Sequence, residues 1–126
     1  MPKVHLLIID DEAGFRFVIE QLLTREGFRL SQASSGEEAI SLFDSGLRVD
    51  AMLVDYRMPG LNGGQTLEAL RRKGIDVPAV LVSAAADIQE LAAQYGFDGA
   101  IPKPCSTDSI RGVIEPLLSR SDTASS

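Results

Sequence analysis

The 126-residue chain is acidic, with a formal net charge of −6, and 44% of its residues are hydrophobic. That size fits one domain able to bury a core. The negative charge, with no Lys/Arg cluster to offset it, argues against direct nucleic-acid binding, and the single Cys105 rules out an internal disulfide. Met1-Pro2-Lys3 leads straight into a strand-like run without a signal-peptide pattern, and no run approaches membrane-spanning length, so a cytoplasmic protein is expected.

Lys3 to Ile9 reads as a buried strand that runs into Asp10-Asp11-Glu12. Phe15, Val18, Ile19, Leu22 and Leu23 follow at i, i+3, i+4, i+7 and i+8, which predicts an amphipathic helix, stopped by Gly27. Phe28 to Ala33 alternates weakly, as an edge strand does. Ser35-Gly36-Glu37-Glu38 then has the form of a capping box opening a second helix, with Ile40 and Phe43 toward the core.

Asp50 to Val54 is a second strongly apolar strand, running into Asp55. The Gly60 to Gly64 stretch reads as a flexible loop rather than a phosphate-binding fingerprint, because no strand directly precedes it and no Gly-Lys-Ser/Thr follows. A helix with Leu67 and Leu70, a strand over Val77 to Val82, and a helix with Ile88, Leu91, Ala92 and Tyr95 come next. Gly99 to Ile101 is the last strand, leading through Pro102 into Lys103-Pro104, and Pro102, which cannot donate to a ladder, predicts an edge position for it. Ile110, Val113, Ile114, Leu117 and Leu118 mark a final helix in which Pro116 predicts a kink or an early end. Five strands thus alternate with five helices in an α/β pattern, and 119–126 reads as a disordered Ser/Thr-rich tail or truncated linker.

In open α/β sheets, ligands bind outside the carboxyl ends of the strands. Asp10-Asp11, Asp55, Ser83-Ala84 and Lys103-Pro104 stand at four such ends. Each taken singly has a plainer reading: a helix N-cap for Asp10 or Asp11, a turn residue for Asp55, a strand-end polar group for Ser83, a solvated Lys103. Their occurrence together is what points to a site. Glu12 reads as a favourable first-turn charge, His5 as a histidine without metal partners, and Cys105 as packing.

With these residues in this order, the chain resembles the receiver domains of two-component response regulators over roughly residues 3 to 118, so 1–118 is expected to be one receiver domain. The resemblance implies a flavodoxin-like, doubly wound, five-stranded parallel sheet of order 2-1-3-4-5 with five helices. It implies that Asp55 accepts a phosphoryl group from a phosphohistidine on a sensor histidine kinase or phosphotransfer protein. Mg²⁺ would be bound by Asp11 and Asp55 directly, by Asp10 mainly through water, and by the backbone carbonyl of Arg57. Lys103, the Ser83 hydroxyl and the Ala84 backbone N–H would stabilise the phosphoryl oxygens, and the Lys103-Pro104 bond would be cis.

The resemblance further implies a phosphoacceptor that promotes its own phosphorylation and dephosphorylation, not a multiple-turnover enzyme. Its output would be a changed affinity for a protein partner, through the fourth helix and last strand. The chain departs from the pattern at Ala100, where many receivers have an aromatic residue that tracks the switch. A non-switching interaction module of the same fold is therefore an alternative. A hydrolase of the haloacid dehalogenase kind is a further one, although its acids would be spaced Asp-x-Asp and here they are adjacent.

Overall fold

The computed structural model describes Lys3 to Ser125, with side chains as far as Ser119. Ten elements alternate strictly: β1 (His5–Ile9), α1 (Ala13–Arg25), β2 (Arg29–Ala33), α2 (Gly36–Asp44), β3 (Ala51–Val54), α3 (Gly63–Arg72), β4 (Ala79–Ser83), α4 (Ile88–Tyr95), β5 (Gly99–Pro102) and α5 (Thr107–Ser125). The strands form one sheet in the order β2-β1-β3-β4-β5, and every pairing is parallel. This is the doubly wound, flavodoxin-like arrangement expected of the sequence.

Both faces of the central strands are covered, which is why β1 and β3 are apolar at consecutive positions rather than alternating. Leu6 and Ile8 point to one side, into a core with Ile19, Leu23, Ile110 and Ile114 from α1 and α5. Leu7 and Ile9 point to the other, against Ala39, Phe43, Leu67 and Leu70 of α2 and α3. A smaller cluster of Leu81, Ile88 and Ala92 seats α4, with Tyr56, Phe97 and Ala100 packed on it. Strands β2 and β5 are the edges, so Pro102 occupies the position its missing N–H requires.

Register decides which residues meet. Ile9 lies opposite Val54, so Asp10 and Asp55, each one residue further on, leave the sheet level with one another on neighbouring strands. Val54 lies opposite Leu81, and Ser83 opposite Pro102, which brings Ser83 and Lys103 to the same edge.

Several local expectations change. In α1, Val18 is 50% exposed, and so is Phe17 beside it at 62%; the helix buries Ile19 and Leu23 fully, and the apolar arc is wider than the face the sheet can cover. Ser35 caps α2 by accepting from the Glu38 N–H at 3.0 Å, but Glu38 reaches back to the N–H of Ser34 at 2.6 Å rather than to Ser35. The reciprocal capping box is instead at α3, where Asn62 and Gln65 satisfy each other's backbone N–H groups. Gly63 and Gly64 are buried in the first turn of that helix, not in a flexible loop. Helix α5 does not stop at Pro116 but is continuous to Ser125; the expectation of a disordered tail falls partly on Ser126, outside the described residues. Gly27 and Gly96 end α1 and α4 with φ of 95° and 80°, a left-handed conformation that costs glycine nothing.

Candidate functional site

The carboxyl ends of the strands open on a cleft of about 380 Å³ lined by Asp11, Glu12, Asp55, Ser83, Lys103 and the Ala84–Ala86 loop, with Arg57 at its rim. Oxygens of Asp10, Asp11 and Asp55 lie within 4.8 Å of one another. Asp10 is 1% exposed and Asp55 7%, whereas Asp11 is open to solvent.

Each acid is held differently. Asp10 has both oxygens engaged: Oδ1 accepts from the Glu12 N–H at 2.9 Å and Oδ2 from Lys103 Nζ at 2.8 Å. Its main chain is tied to β2 through its N–H to the Ala33 carbonyl, and its own carbonyl accepts from Arg16 at 2.6 Å. The Asp55 N–H donates to the Ile9 carbonyl, and the next carbonyl, of Tyr56, accepts from the Gly63 N–H at 2.7 Å. Gly63 is required there, since a Cβ would stand 2.2 Å from the Asp55 carbonyl oxygen.

Burial, and then repulsion from Asp10, push the Asp55 carboxyl up to about 6, against the opposing pull of Lys103 and the Tyr56 backbone N–H. Burial alone would lower the Lys103 ammonium, but its hydrogen bond to Asp10 and the charges of Asp55, Asp10 and Glu12 outweigh that, so it is raised. Lys103 Nζ is 3.5 Å from Glu12 and 3.6 Å from Asp55, beyond hydrogen-bonding distance of the latter. Ser83 is buried, and its hydroxyl accepts from the Ala85 N–H at 3.2 Å. The Lys103-Pro104 peptide bond is cis.

Asp10, Asp11, Asp55, Arg57, Ser83, Ala84 and Lys103 thus lie at this one edge. The donor set is entirely oxygen, and three carboxylates gathered beside a single ammonium carry surplus negative charge, which suits a hard divalent cation. Two features were not foreseen: the Arg16 bond to the Asp10 carbonyl and the Phe15 ring 4.1 Å from Lys103 Nζ. Neither has a motif of its own.

The family model of the response regulator receiver domain matches residues 6–115. The chain belongs to this family. Among curated relatives of the receiver domain are a probable transcriptional regulator, ycf27, of Porphyridium aerugineum, 34% identical and covering 100% of this chain and 52% of that protein, and the response regulator SaeR of Staphylococcus aureus, 31% identical over 92% of this chain and 51% of that protein. The chain therefore spans about half the length of these relatives. A Francisella response regulator receiver domain superposes with a TM-score of 0.84 at 26% identity, covering 94% of this chain and 99% of that one. The response regulator TrrA of Thermotoga maritima, solved in complex with Mg(2+)-BeF, gives 0.81 at 27%, covering 90% and 98%. Among the described residues of this receiver domain, no helix is long and apolar enough to cross a membrane.

Proposed function

We propose that this receiver domain accepts a phosphoryl group on Asp55 in a Mg²⁺-dependent reaction and signals through altered affinity for a protein partner. The observation that carries this reading is the convergence of Asp10, Asp11 and Asp55 within 4.8 Å beside Lys103, in a cleft that also contains Ser83. At neutral pH Asp55, with its pKa near 6, is mostly ionised yet more basic than an ordinary carboxylate, a favourable state for a nucleophile.

An Asp55 oxygen forms the new O–P bond while the P–N bond to the donor imidazole breaks, and the departing imidazole takes its proton from solvent. Lys103, released from Asp10, turns to a phosphoryl oxygen. The Ser83 hydroxyl, which now only accepts, has its own proton free to donate to another, and the Ala84 N–H supplies a further donor. Asp11, Asp55 and the Arg57 carbonyl would hold the metal directly, and Asp10, whose Oδ1 stays engaged by the Glu12 N–H, would act mainly through water. When bound, Mg²⁺ neutralises charge on the acids and the transferring group.

The donor in this reading is a sensor histidine kinase or phosphotransfer protein. An apolar groove lined by Phe15, Val18, Leu22 and Pro104 adjoins the cleft through Lys103 and Ala84 and supplies contact area for such a protein, and Phe17 is exposed on the same helix. The receiver unit is taken as 1–118, acting in the cytoplasm on an output protein or domain. Relatives named as transcriptional regulators restrict the expectation against nucleic-acid contact to this acidic unit alone.

Ala100, packed beneath α4 without an aromatic ring, favours the second reading, a receiver-fold module that does not switch. Incubation with acetyl phosphate and Mg²⁺, followed by intact-protein mass spectrometry, tests both. The expected result is one phosphoryl adduct, abolished in Asp55→Asn. Absence of any adduct favours the non-switching module, rapid multiple turnover favours a hydrolase, and equal labelling of Asp55→Asn overturns the assignment.

A further inference from the structure

We infer that Phe15 is a positioning residue for Lys103: its ring face holds the ammonium in the cleft while leaving it free to move between Asp10 and the group on Asp55. This rests on the reading of Asp55 as phosphoacceptor. The Lys103 Nζ lies 4.1 Å from the Phe15 centroid, well inside the range of about 6 Å over which a ring attracts a cation. Three carboxylates stand around the same nitrogen, Asp10 at 2.8 Å, Glu12 at 3.5 Å and Asp55 at 3.6 Å, and the ring is the uncharged group among these neighbours. Only 13% of the lysine side chain is exposed.

The arrangement has a physical purpose that the carboxylates alone cannot serve. A lysine stem has four rotatable bonds, and just beyond an edge strand it would otherwise gain entropy by swinging into water or toward exposed Glu12. Hydrogen bonds to carboxylates are directional and fix the nitrogen at one acid, as the short contact to Asp10 does. Attraction to a ring quadrupole varies slowly with position, so Phe15 keeps the ammonium within the cleft wherever it sits. Phe15 can do this because it is anchored: it lies in the first turn of α1, half-buried against the core that includes Ile19, Leu23 and Ile110.

The test has a spectroscopic and a kinetic arm. In ¹H–¹³C spectra of the unphosphorylated protein, the ε-methylene protons of Lys103 are expected upfield of those of the other lysines, from the ring current. Phe15→Met removes that shift, and Phe15→Tyr retains it. In labelling with acetyl phosphate and Mg²⁺, Phe15→Met slows adduct formation by about 3- to 10-fold, the range a partly buried cation–ring contact supports, and Phe15→Tyr restores the rate.

An unshifted Lys103 methylene in the wild-type protein overturns the inference without any variant, which covers the case of a variant that fails to fold. An unchanged labelling rate in folded Phe15→Met overturns it too. A wild-type chain that shows the shift but takes no phosphoryl group refutes the phosphoacceptor reading instead, and leaves the ring–ammonium contact standing as a structural one.

Discussion

Lys103 Nζ is 2.8 Å from Asp10 Oδ2 but 3.6 Å from Asp55 Oδ1, so in the unphosphorylated receiver domain the lysine is bound to the acid that is not the proposed nucleophile. Asp10 is buried, and without Lys103 its carboxylate retains only the Glu12 N–H beside two other acids. Lys103→Met is therefore expected to destabilise the metal-free protein by about 1–3 kcal/mol, the cost of leaving a buried charge unpaired at a site open on one side. Millimolar Mg²⁺ should recover part of the loss. Urea denaturation with and without the metal measures both quantities. On the proposed function, the variant still takes some phosphoryl group but its surface no longer responds.

Asp55 makes stability depend on pH in the opposite sense from most carboxylates. Its pKa is raised from 3.8 to about 6, so the folded protein binds the proton more tightly than the unfolded chain does. The contribution is fully present below about pH 4 and is lost as pH rises through about 6. Asp55→Asn, which cannot ionise, should be more stable than the wild type at pH 7 to 8, by about 1–3 kcal/mol, and equal to it near pH 4. Metal binding requires the ionised form, so Mg²⁺ affinity should fall as pH drops below about 6. Thermal melts of the two proteins across pH, with calorimetric titration of Mg²⁺, check the pair of expectations.

The convergence that produces these effects was legible because it depends on register in a parallel sheet. Apolar runs ending in Asp10 and Asp55 mark buried central strands, the run before Lys103 marks an edge strand, and a doubly wound order brings their carboxyl ends to one side. Side-chain partners were not legible. The sequence does not say whether Lys103 bonds Asp10 or Asp55, because that choice turns on differences of under 1 Å set by α1 and the loop after β5. The exposure of Val18 was not legible for a related reason: helical spacing marks an apolar arc, but how much of it is covered depends on the neighbouring element. Pro116 did not end α5, since its ring removes one hydrogen bond while Ile114 and Leu117 on either side stay buried and hold the helix to the sheet.

Glycine substitutions separate close approach from mere helix propensity. A Cβ on Gly63 meets the Asp55 main chain at 2.2 Å, an atom that cannot yield without moving the proposed nucleophile. Gly112, inside α5, has nothing within 4 Å of the same atom. Gly63→Ala should lower stability by about 2 kcal/mol or more and weaken Mg²⁺ binding, whereas Gly112→Ala should raise stability by about 0.5–1 kcal/mol and leave binding unchanged. Denaturant midpoints and metal titrations give the comparison.

Phe17, 62% exposed, and Val18, 50% exposed, stand on α1, Val18 in the apolar groove next to the cleft, and neither lines the acid cluster. Replacing both by Glu removes no core packing, so stability should change by no more than about 0.5 kcal/mol per site. A small phosphodonor needs only the cleft, and labelling by acetyl phosphate should stay within about twofold of the wild type, since no reacting group has moved. A kinase or phosphotransfer protein must desolvate the surroundings of Asp55 as it docks, and covering two such side chains is worth several kcal/mol at roughly 1.5–3 kcal/mol each. Two carboxylates placed there oppose that burial, and transfer from any protein donor that labels the wild-type domain should slow by about tenfold or more, equivalent to about 1.4 kcal/mol. Equal slowing with both donors would mean that α1 acts on the site itself rather than on the approach of the donor.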